Sequence, residues 1–162
     1  MRKLIGFPNP VNEKAARVVA GGVLTLGVVT LVSGWTWLLA VLAVGFWLRV
    51  AAGPRFSPLG LLATKVVAPR LGPARLVPGP PKRFAQAIGA VLTTAGALLA
   101  LAFGLDGVAL ALTGLLVLAA GLESLLGLCI GCQLFALLMR AGVVPETVCA
   151  ECADLSLRRA RA

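Results

Sequence analysis

The sequence predicts an all-α integral membrane protein with four transmembrane helices. Of its 162 residues, 59% are hydrophobic and only 13% are charged, whereas soluble domains carry roughly a quarter charged residues. The mean hydropathy is +0.98, and the basic residues stand at the ends of long apolar runs. Length and composition together predict one membrane domain, residues 1–162.

Four apolar runs predict the membrane helices. The first two runs predict helices over residues 15–32 and 35–49, joined by a tight turn. The next two predict helices over residues 84–103 and 108–121, with a glycine-rich turn between them. The first two runs are each close to the minimum of about 17–20 residues that cross about 30 Å of hydrocarbon. The chain therefore predicts two helical hairpins.

The positive charges predict the orientation of these hairpins. The sequence has 15 Lys and Arg residues, and none falls in either of the two short turns. Because Lys and Arg collect on the cytoplasmic side of membrane proteins, we expect both termini and the long central loop to be cytoplasmic. The expected location is the cytoplasmic (inner) membrane, with multiple passes. The net charge of +9 then indicates contact with anionic headgroups rather than nucleic acid.

Similar segments predict an internal repeat. Residues 20–25 resemble residues 88–93, and residues 57–61 resemble residues 124–128. This similarity predicts two parallel repeats, related by an axis along the membrane normal. The repeat halves cover about 12–67 and 80–140, and each consists of a hairpin followed by a short helix at the cytoplasmic interface.

The repeat also predicts where the short helices begin. Ser57 followed by Pro58 is typical of a helix N-cap and first turn. By analogy we expect Ser124 to cap the second short helix, after a break near Gly121. Five prolines in residues 68–82 predict a stiff cytoplasmic strap without helix. Residues 141–162 then form a cytoplasmic tail.

Two cysteine pairs carry almost all the site chemistry that this sequence offers. Cys129, Cys132, Cys149 and Cys152 are the only cysteines, and the chain has no histidine. Their C-x2-C-x16-C-x2-C spacing lies in the range of four-thiolate zinc sites. One interpretation is therefore a non-enzymatic protein with a structural zinc ion on these four residues.

The competing interpretation is thiol chemistry. Cytoplasmic thiols are kept reduced, so a permanent disulfide is not expected. Cys129 and Cys132 would be the primary reactive pair, and Cys149 and Cys152 the resolving or transferring pair. With Ser124 as the cap, Cys129 falls in the second turn, where the helix dipole has little effect. The absence of histidine, and of lysine adjacent in sequence, removes the usual activating groups. Inert reduced thiols are a third alternative.

Glu123 is a weak candidate for catalysis. It is the acidic residue nearest to the membrane interior, where carboxylates often relay protons. The alternative is a structural position in the first turn of the following helix. On a continuous helix Glu123 would lie about 120° from Cys129 and about 180° from Cys132, so it could not assist both thiols.

Four short motifs resemble those of a known family. They are Ser57–Gly60 (Ser-Pro-Leu-Gly), Arg70–Pro73 (Arg-Leu-Gly-Pro), Pro81–Gln86 (Pro-Lys-Arg-Phe-Ala-Gln) and Cys129–Cys132 (Cys-Ile-Gly-Cys). Over about residues 9–140 the chain resembles the bacterial integral membrane family catalogued as domain of unknown function 4395. The departure is Lys82, which is inserted between the proline and arginine of the third motif.

The resemblance brings no settled activity. It implies a thioredoxin-like or sulfurtransferase partner, which favours thiol or sulfur handling over metal binding. The leading hypothesis is therefore a membrane protein whose cytosol-facing cysteines act in thiol–disulfide exchange or persulfide relay. The zinc protein is the first alternative, and a transporter of a small sulfur species is the second.

Overall fold

A computed structural model describes residues 7–149 and residue 152, and this part of the chain is mainly helical. The helices in chain order are α1 (Glu13–Ser33), α2 (Leu38–Ala52), α3 (Pro58–Leu62), α4 (Ala68–Arg70), α5 (Gly79–Leu101), α6 (Asp106–Gly121) and α7 (Ile130–Arg140). Single turns of 3-10 helix cover Gly53–Arg55 and Glu146–Val148, and π-helical turns cover Ala63–Val67 and Leu122–Leu126. Two short strands, β1 (Val11–Asn12) and β2 (Leu76–Val77), complete the described elements.

Four helical stretches are long and apolar enough to cross a membrane. They are Glu13–Ser33, Leu38–Arg70, Gly79–Leu101 and Asp106–Leu126, with mean hydropathies of 1.4 to 2.0. These stretches confirm the predicted number of apolar helices of membrane length. Apolar side chains face outward along them, as expected for helices solvated by lipid rather than water.

The four long helices pack in the order α1, α6, α5, α2, and α1 makes few contacts with α2. The core between them combines large side chains such as Leu39, Phe46 and Leu116 with small ones such as Ala90 and Ala109. Small residues allow helix backbones to approach closely inside a membrane. Helix α5 packs closely on α6, so the two predicted hairpins differ in packing. The repeat symmetry stays a prediction.

The central strap is tied to the start of α1 at the end of the bundle where α1 and α5 begin. We call this the basic end. Strand β2 pairs antiparallel with β1, Val11 opposite Val77. Glu13 donates its backbone N–H to the Arg75 carbonyl over 2.7 Å, and its carboxylate pairs with the Arg75 guanidinium at 3.0 Å. The strap is therefore fixed against the bundle rather than hanging free.

The prediction that the prolines exclude helix from residues 68–82 is wrong at both ends. Helix α4 occupies Ala68–Arg70, and α5 begins at Gly79 rather than near Phe84. Pro80 and Pro81 lie in the first turn of α5. A first-turn residue has no helical partner for its N–H, so proline is tolerated there.

The predicted break near Gly121 is also wrong. The helical path continues through a π-helical turn and ends at Gly127, whose φ of +71° favours glycine. Leu128 and Gly127 donate their N–H groups to the carbonyls of Leu122 and Glu123. Ser124 therefore lies in the turn that ends one helix and does not cap the next.

Candidate functional site

Cys129 is the N-cap of α7. Its backbone is extended, with φ −92° and ψ 101°, and its Sγ accepts the N–H of Cys132 over 3.3 Å. A cap side chain satisfies one of the amide N–H groups that the first helical turn leaves unpaired. The predicted cap at Ser124 is therefore replaced by the thiol itself, which lies at the positive end of the helix dipole.

Packing of α7 on α5 holds this thiol in place. Gly131 lies so close to α5 that an added Cβ would come 2.6 Å from the Ala85 Cα. Further along α7, the rings of Phe84 and Phe135 pack with centroids 5.6 Å apart. The close approach needs a residue without a side chain, which explains the glycine within the Cys129–Cys132 motif.

A buried ion pair lies beside the two thiols. The Nζ of Lys82, at the start of α5, is 2.6 Å from the Glu123 Oε1, and both side chains are largely buried. The charges of both residues act on Cys129 and Cys132. The sequence has no lysine next to either cysteine pair, and the expectation that no lysine lies near the thiols was based on this. It is wrong, because folding brings Lys82 close to Cys129 and Cys132. The charge of Glu123 affects the pKa of both thiols, because the helical path ends at Gly127, between Glu123 and Cys129.

The two thiols have opposite acidities. A side-chain hydrogen bond from Cys132 lowers the pKa of Cys129, the nearby Lys82 charge lowers it further, and burial and Glu123 oppose these effects. The same hydrogen bond raises the pKa of Cys132, and burial adds to the increase. Cys129 is therefore the thiol that ionises first, and the thiolate is the reactive form.

Cys129 also faces a cavity inside the bundle. The cavity measures about 190 Å³ and is bounded by α1, α2, α5, α6 and α7. Its lining is mainly apolar, and Glu123 and Cys129 are the ionisable residues in it. Cys129 is only 8% exposed, whereas Cys132 is half-buried and does not line this cavity. A small molecule, rather than a folded protein, fits this approach to Cys129.

The second cysteine pair is oxidised. Cys149 and Cys152 form a disulfide, with their Cα atoms 5.2 Å apart, within the usual span of such bonds. The sequence predicted reduced thiols at these positions, so the structure differs from that expectation. Within residues 7–149 and residue 152, no three His, Cys, Asp or Glu side chains cluster in a way that could hold a metal ion. The zinc site stays an untested prediction.

Sequence reasoning missed two cationic residues near the site, Lys82 and Arg49. Arg49, in the last turn of α2, is 5% exposed and donates from Nε to the Gln86 Oε1 over 2.8 Å. A signal for Lys82 was present, because it is the residue by which the third motif departs from the family pattern. Arg49 stands at the end of an apolar run, where the arginines that orient membrane helices also stand. The sequence therefore does not indicate that Arg49 is buried.

Comparison with known proteins gives one match. No curated protein and no solved structure matches the chain. The family model described as "Domain of unknown function (DUF4395)" matches residues 11–140. This stretch contains α1 to α7 and the Cys129–Cys132 pair. It spans most of the 162 residues, and the chain therefore belongs to the DUF4395 family.

Proposed function

We propose that this protein is a cytoplasmic-membrane protein whose Cys129 is the nucleophile in thiol–disulfide exchange or persulfide relay. The observation that supports the proposal most directly is the position of Cys129. It caps α7, accepts a hydrogen bond from the Cys132 N–H, and lies near the buried Lys82–Glu123 pair. Low-pKa thiols at helix N-termini near a cation are the reactive ones in proteins.

In the exchange reaction, the Cys129 thiolate attacks one sulfur of a disulfide. A mixed disulfide forms, and the other sulfur leaves as a thiolate that takes up a proton. Cys132 then loses its proton and attacks the Cys129 Sγ, which forms the Cys129–Cys132 disulfide and releases the second thiolate. The cysteine pair loses two electrons and the substrate disulfide gains them.

In the relay reaction, the Cys129 thiolate attacks the outer sulfur of a persulfide. That sulfur moves to Cys129, and the donor leaves as a thiolate, without net oxidation. The Cys149–Cys152 disulfide is the proposed internal partner of the reduced Cys129–Cys132 pair. The Cys129 thiolate attacks it, Cys132 then attacks the Cys129 Sγ and forms the Cys129–Cys132 disulfide, and Cys149 and Cys152 are released as free thiols. As free thiols, Cys149 and Cys152 are the proposed resolving or transferring pair.

The distribution of positive charge is the reason for proposing that the cysteines face the cytoplasm. The described basic residues lie outside the two turns Gly34–Trp37 and Ala102–Leu105, and such asymmetry supports a cytoplasmic location for the basic end. The expected partners are anionic headgroups and a thioredoxin-like or sulfurtransferase protein that exchanges with the more exposed Cys132 or with the tail.

Membrane vesicles of both orientations test the nucleophile and its sidedness together. We expect a small zwitterionic disulfide such as cystine to form a trapped mixed disulfide on Cys129 in the Cys132→Ser variant, in inverted vesicles only. Cys129→Ser should lower the yield to the uncatalysed background. A persulfide donor should add one sulfur to Cys129 of the wild type. Peptide mass spectrometry under non-reducing conditions measures each product.

Serine is a good N-cap, so Cys129→Ser keeps the fold and serves as its own structural control. Equal yields in Cys129→Ser and Cys132→Ser would contradict the role of Cys129. Mixed disulfide confined to right-side-out vesicles would contradict the proposed sidedness.

The cavity favours transport of a small sulfur species as a second candidate. It lies between helices of membrane length and is lined by Cys129. Uptake of a labelled sulfur compound into proteoliposomes, lost in Cys129→Ser, would favour transport over relay.

A further inference from the structure

Arg49 is a buried cation without a carboxylate partner in the described part of the chain. Its Nε donates to Gln86 and its Nη1 to the Ser57 Oγ over 3.1 Å. Its Nη2 is buried and has no hydrogen-bond partner within the described residues. The guanidinium also lies over the Phe46 ring, 4.5 Å from its centroid. Each of these contacts is to a neutral group.

Neutral contacts compensate only part of the cost of burying this charge. Burying an ion without a counter-charge is costly, and a cation–π contact returns only a small part of that cost. The ion pairs found within residues 7–149 are Glu13 with Arg75 and Lys82 with Glu123. Both carboxylates near this end of the bundle are therefore occupied by other cations. Arg49 needs a negative charge that the described side chains do not supply.

A small cavity borders Arg49. It measures about 40 Å³, and its polar lining consists of Arg49, Lys82, Gln86 and Thr64. A cavity needs about 10–15 Å³ to hold one water molecule, so this one has room for a small ion. The Lys82 ammonium has three donor hydrogens, and Glu123 accepts one of them. Two cations thus border one cavity.

We propose that this cavity binds a small inorganic anion, a halide or a compact oxyanion, between Arg49 and Lys82. Arg49 and Lys82 both line this cavity, and the anion supplies the counter-charge that the described side chains do not. A water molecule in the same place would leave the charge of Arg49 uncompensated. The site does not depend on any reaction at Cys129, since Cys129 does not line this cavity.

Thermal unfolding and calorimetry of the purified full-length chain in detergent test the site. Chloride, sulfate and phosphate are titrated separately, with potassium gluconate holding the ionic strength constant. We expect at least one of the three anions to bind once per chain and to raise the Tm by about 5 °C at 100-fold excess over its Kd. The anion that binds tells a halide site from an oxyanion site.

Two matched variants locate the effect. Arg49→Gln should abolish the calorimetric signal and the Tm shift. Arg55→Gln should keep both, because Arg55 is an exposed residue in the turn that follows α2 and does not line the cavity. Equal Tm shifts in the wild type and in folded Arg49→Gln would show general screening and overturn the site.

A measurement on the wild type covers the case in which Arg49→Gln does not fold. Anomalous diffraction from wild-type crystals containing bromide, or selenate in place of sulfate, locates a bound anion directly. We expect an anomalous peak in the cavity beside Arg49 and Lys82 and none beside the exposed Arg55. The absence of a peak there with both anions would mean that no anion binds beside Arg49, and the proposal would then be wrong.

Discussion

Two short helices at the basic end begin with side chains of similar shape, Ser57 before α3 and Cys129 before α7. Each side chain accepts a backbone N–H three residues further on, from Gly60 and from Cys132. Ser57 is 1% exposed and also accepts a hydrogen bond from Arg49. Cys129 instead lines a cavity of about 190 Å³ near the Lys82–Glu123 pair.

Ser57 is a cap that stabilises its helix, whereas Cys129 is a cap that is also the candidate nucleophile. The Ser57 oxygen accepts two hydrogen bonds in a closed environment, so nothing remains for a substrate to contact. The Cys129 sulfur accepts one backbone hydrogen bond and keeps an open side toward the cavity. The same local geometry therefore caps a helix in a closed environment in the first half of the chain and presents a candidate nucleophile to a cavity in the second. Swapping or removing each cap tests this distinction.

The largest expected effect on stability is at Ser57. Ser57→Ala removes the cap of α3, at a cost of about 0.5–2 kcal/mol, and leaves the buried Arg49 Nη1 unpaired, at a further cost of about 1–3 kcal/mol. We expect the free energy of unfolding in detergent to fall by about 1.5–5 kcal/mol in total. Cys129→Ser should change it by less than about 1 kcal/mol, since serine is a preferred cap. Equal losses in the two variants would contradict the distinction.

The next effect concerns how each short helix docks. Gly131 in α7 packs against the Ala85 backbone, as Gly60 in α3 packs against the Pro54 backbone. Gly131→Ala forces α7 away from α5, and overpacking of this kind costs about 1–3 kcal/mol. We expect a matching loss in the free energy of unfolding. We also expect slower alkylation of Cys129, because the thiol moves with α7 away from Lys82, whose charge lowers its pKa. The measurements are denaturant titration in detergent and maleimide kinetics.

Gly114→Ala is the control for this substitution. Gly114 lies within α6, and an added Cβ there meets nothing within 4 Å. Alanine has the higher helix propensity, by about 1 kcal/mol, so the variant should be as stable as the wild type or slightly more stable. A loss at Gly114 as large as that at Gly131 would mean that helix docking is not what the measurement reports.

The sequence predicted the membrane helices well because their signal is local. A long apolar run that ends at charged residues identifies a span wherever it packs. The ends of these helices were less predictable, since they depend on backbone detail. Ser124 was expected to be a cap because serine is a preferred cap residue, yet the left-handed turn at Gly127 and the docking of Gly131 place Cys129 there instead.

The candidate site depends on contacts between distant parts of the chain. Its cysteines were identified from composition alone, because a chain without histidine has few other reactive groups. The pairing of Lys82 with Glu123 and the burial of Arg49 against Ser57 and Gln86 arise only when α2, α5 and α6 pack. A single sequence does not show which of its distant residues come into contact. Thus the sequence identified the candidate cysteines but not the charged residues that surround them.

The electrostatic environment of Cys129 gives the last and subtlest test of the two caps. The Lys82 charge lowers the pKa of Cys129, and the Glu123 charge raises it. Lys82→Met removes the cation and leaves the carboxylate without its partner, and both changes raise the pKa of Cys129. Because only the thiolate reacts, the midpoint of the alkylation rate against pH should move to higher pH.

Glu123→Gln should move that midpoint in the opposite direction, to lower pH, since it removes the charge that opposes ionisation of Cys129. Arg83→Gln is the matched control. Arg83 is the neighbour of Lys82 on α5, but it is exposed and donates to the Val50 carbonyl. It is not among the groups that shift the Cys129 pKa, so its variant should leave the profile unchanged. Shifts of the same sign in Lys82→Met and Glu123→Gln would mean that altered packing, rather than charge, sets the reactivity of this thiol.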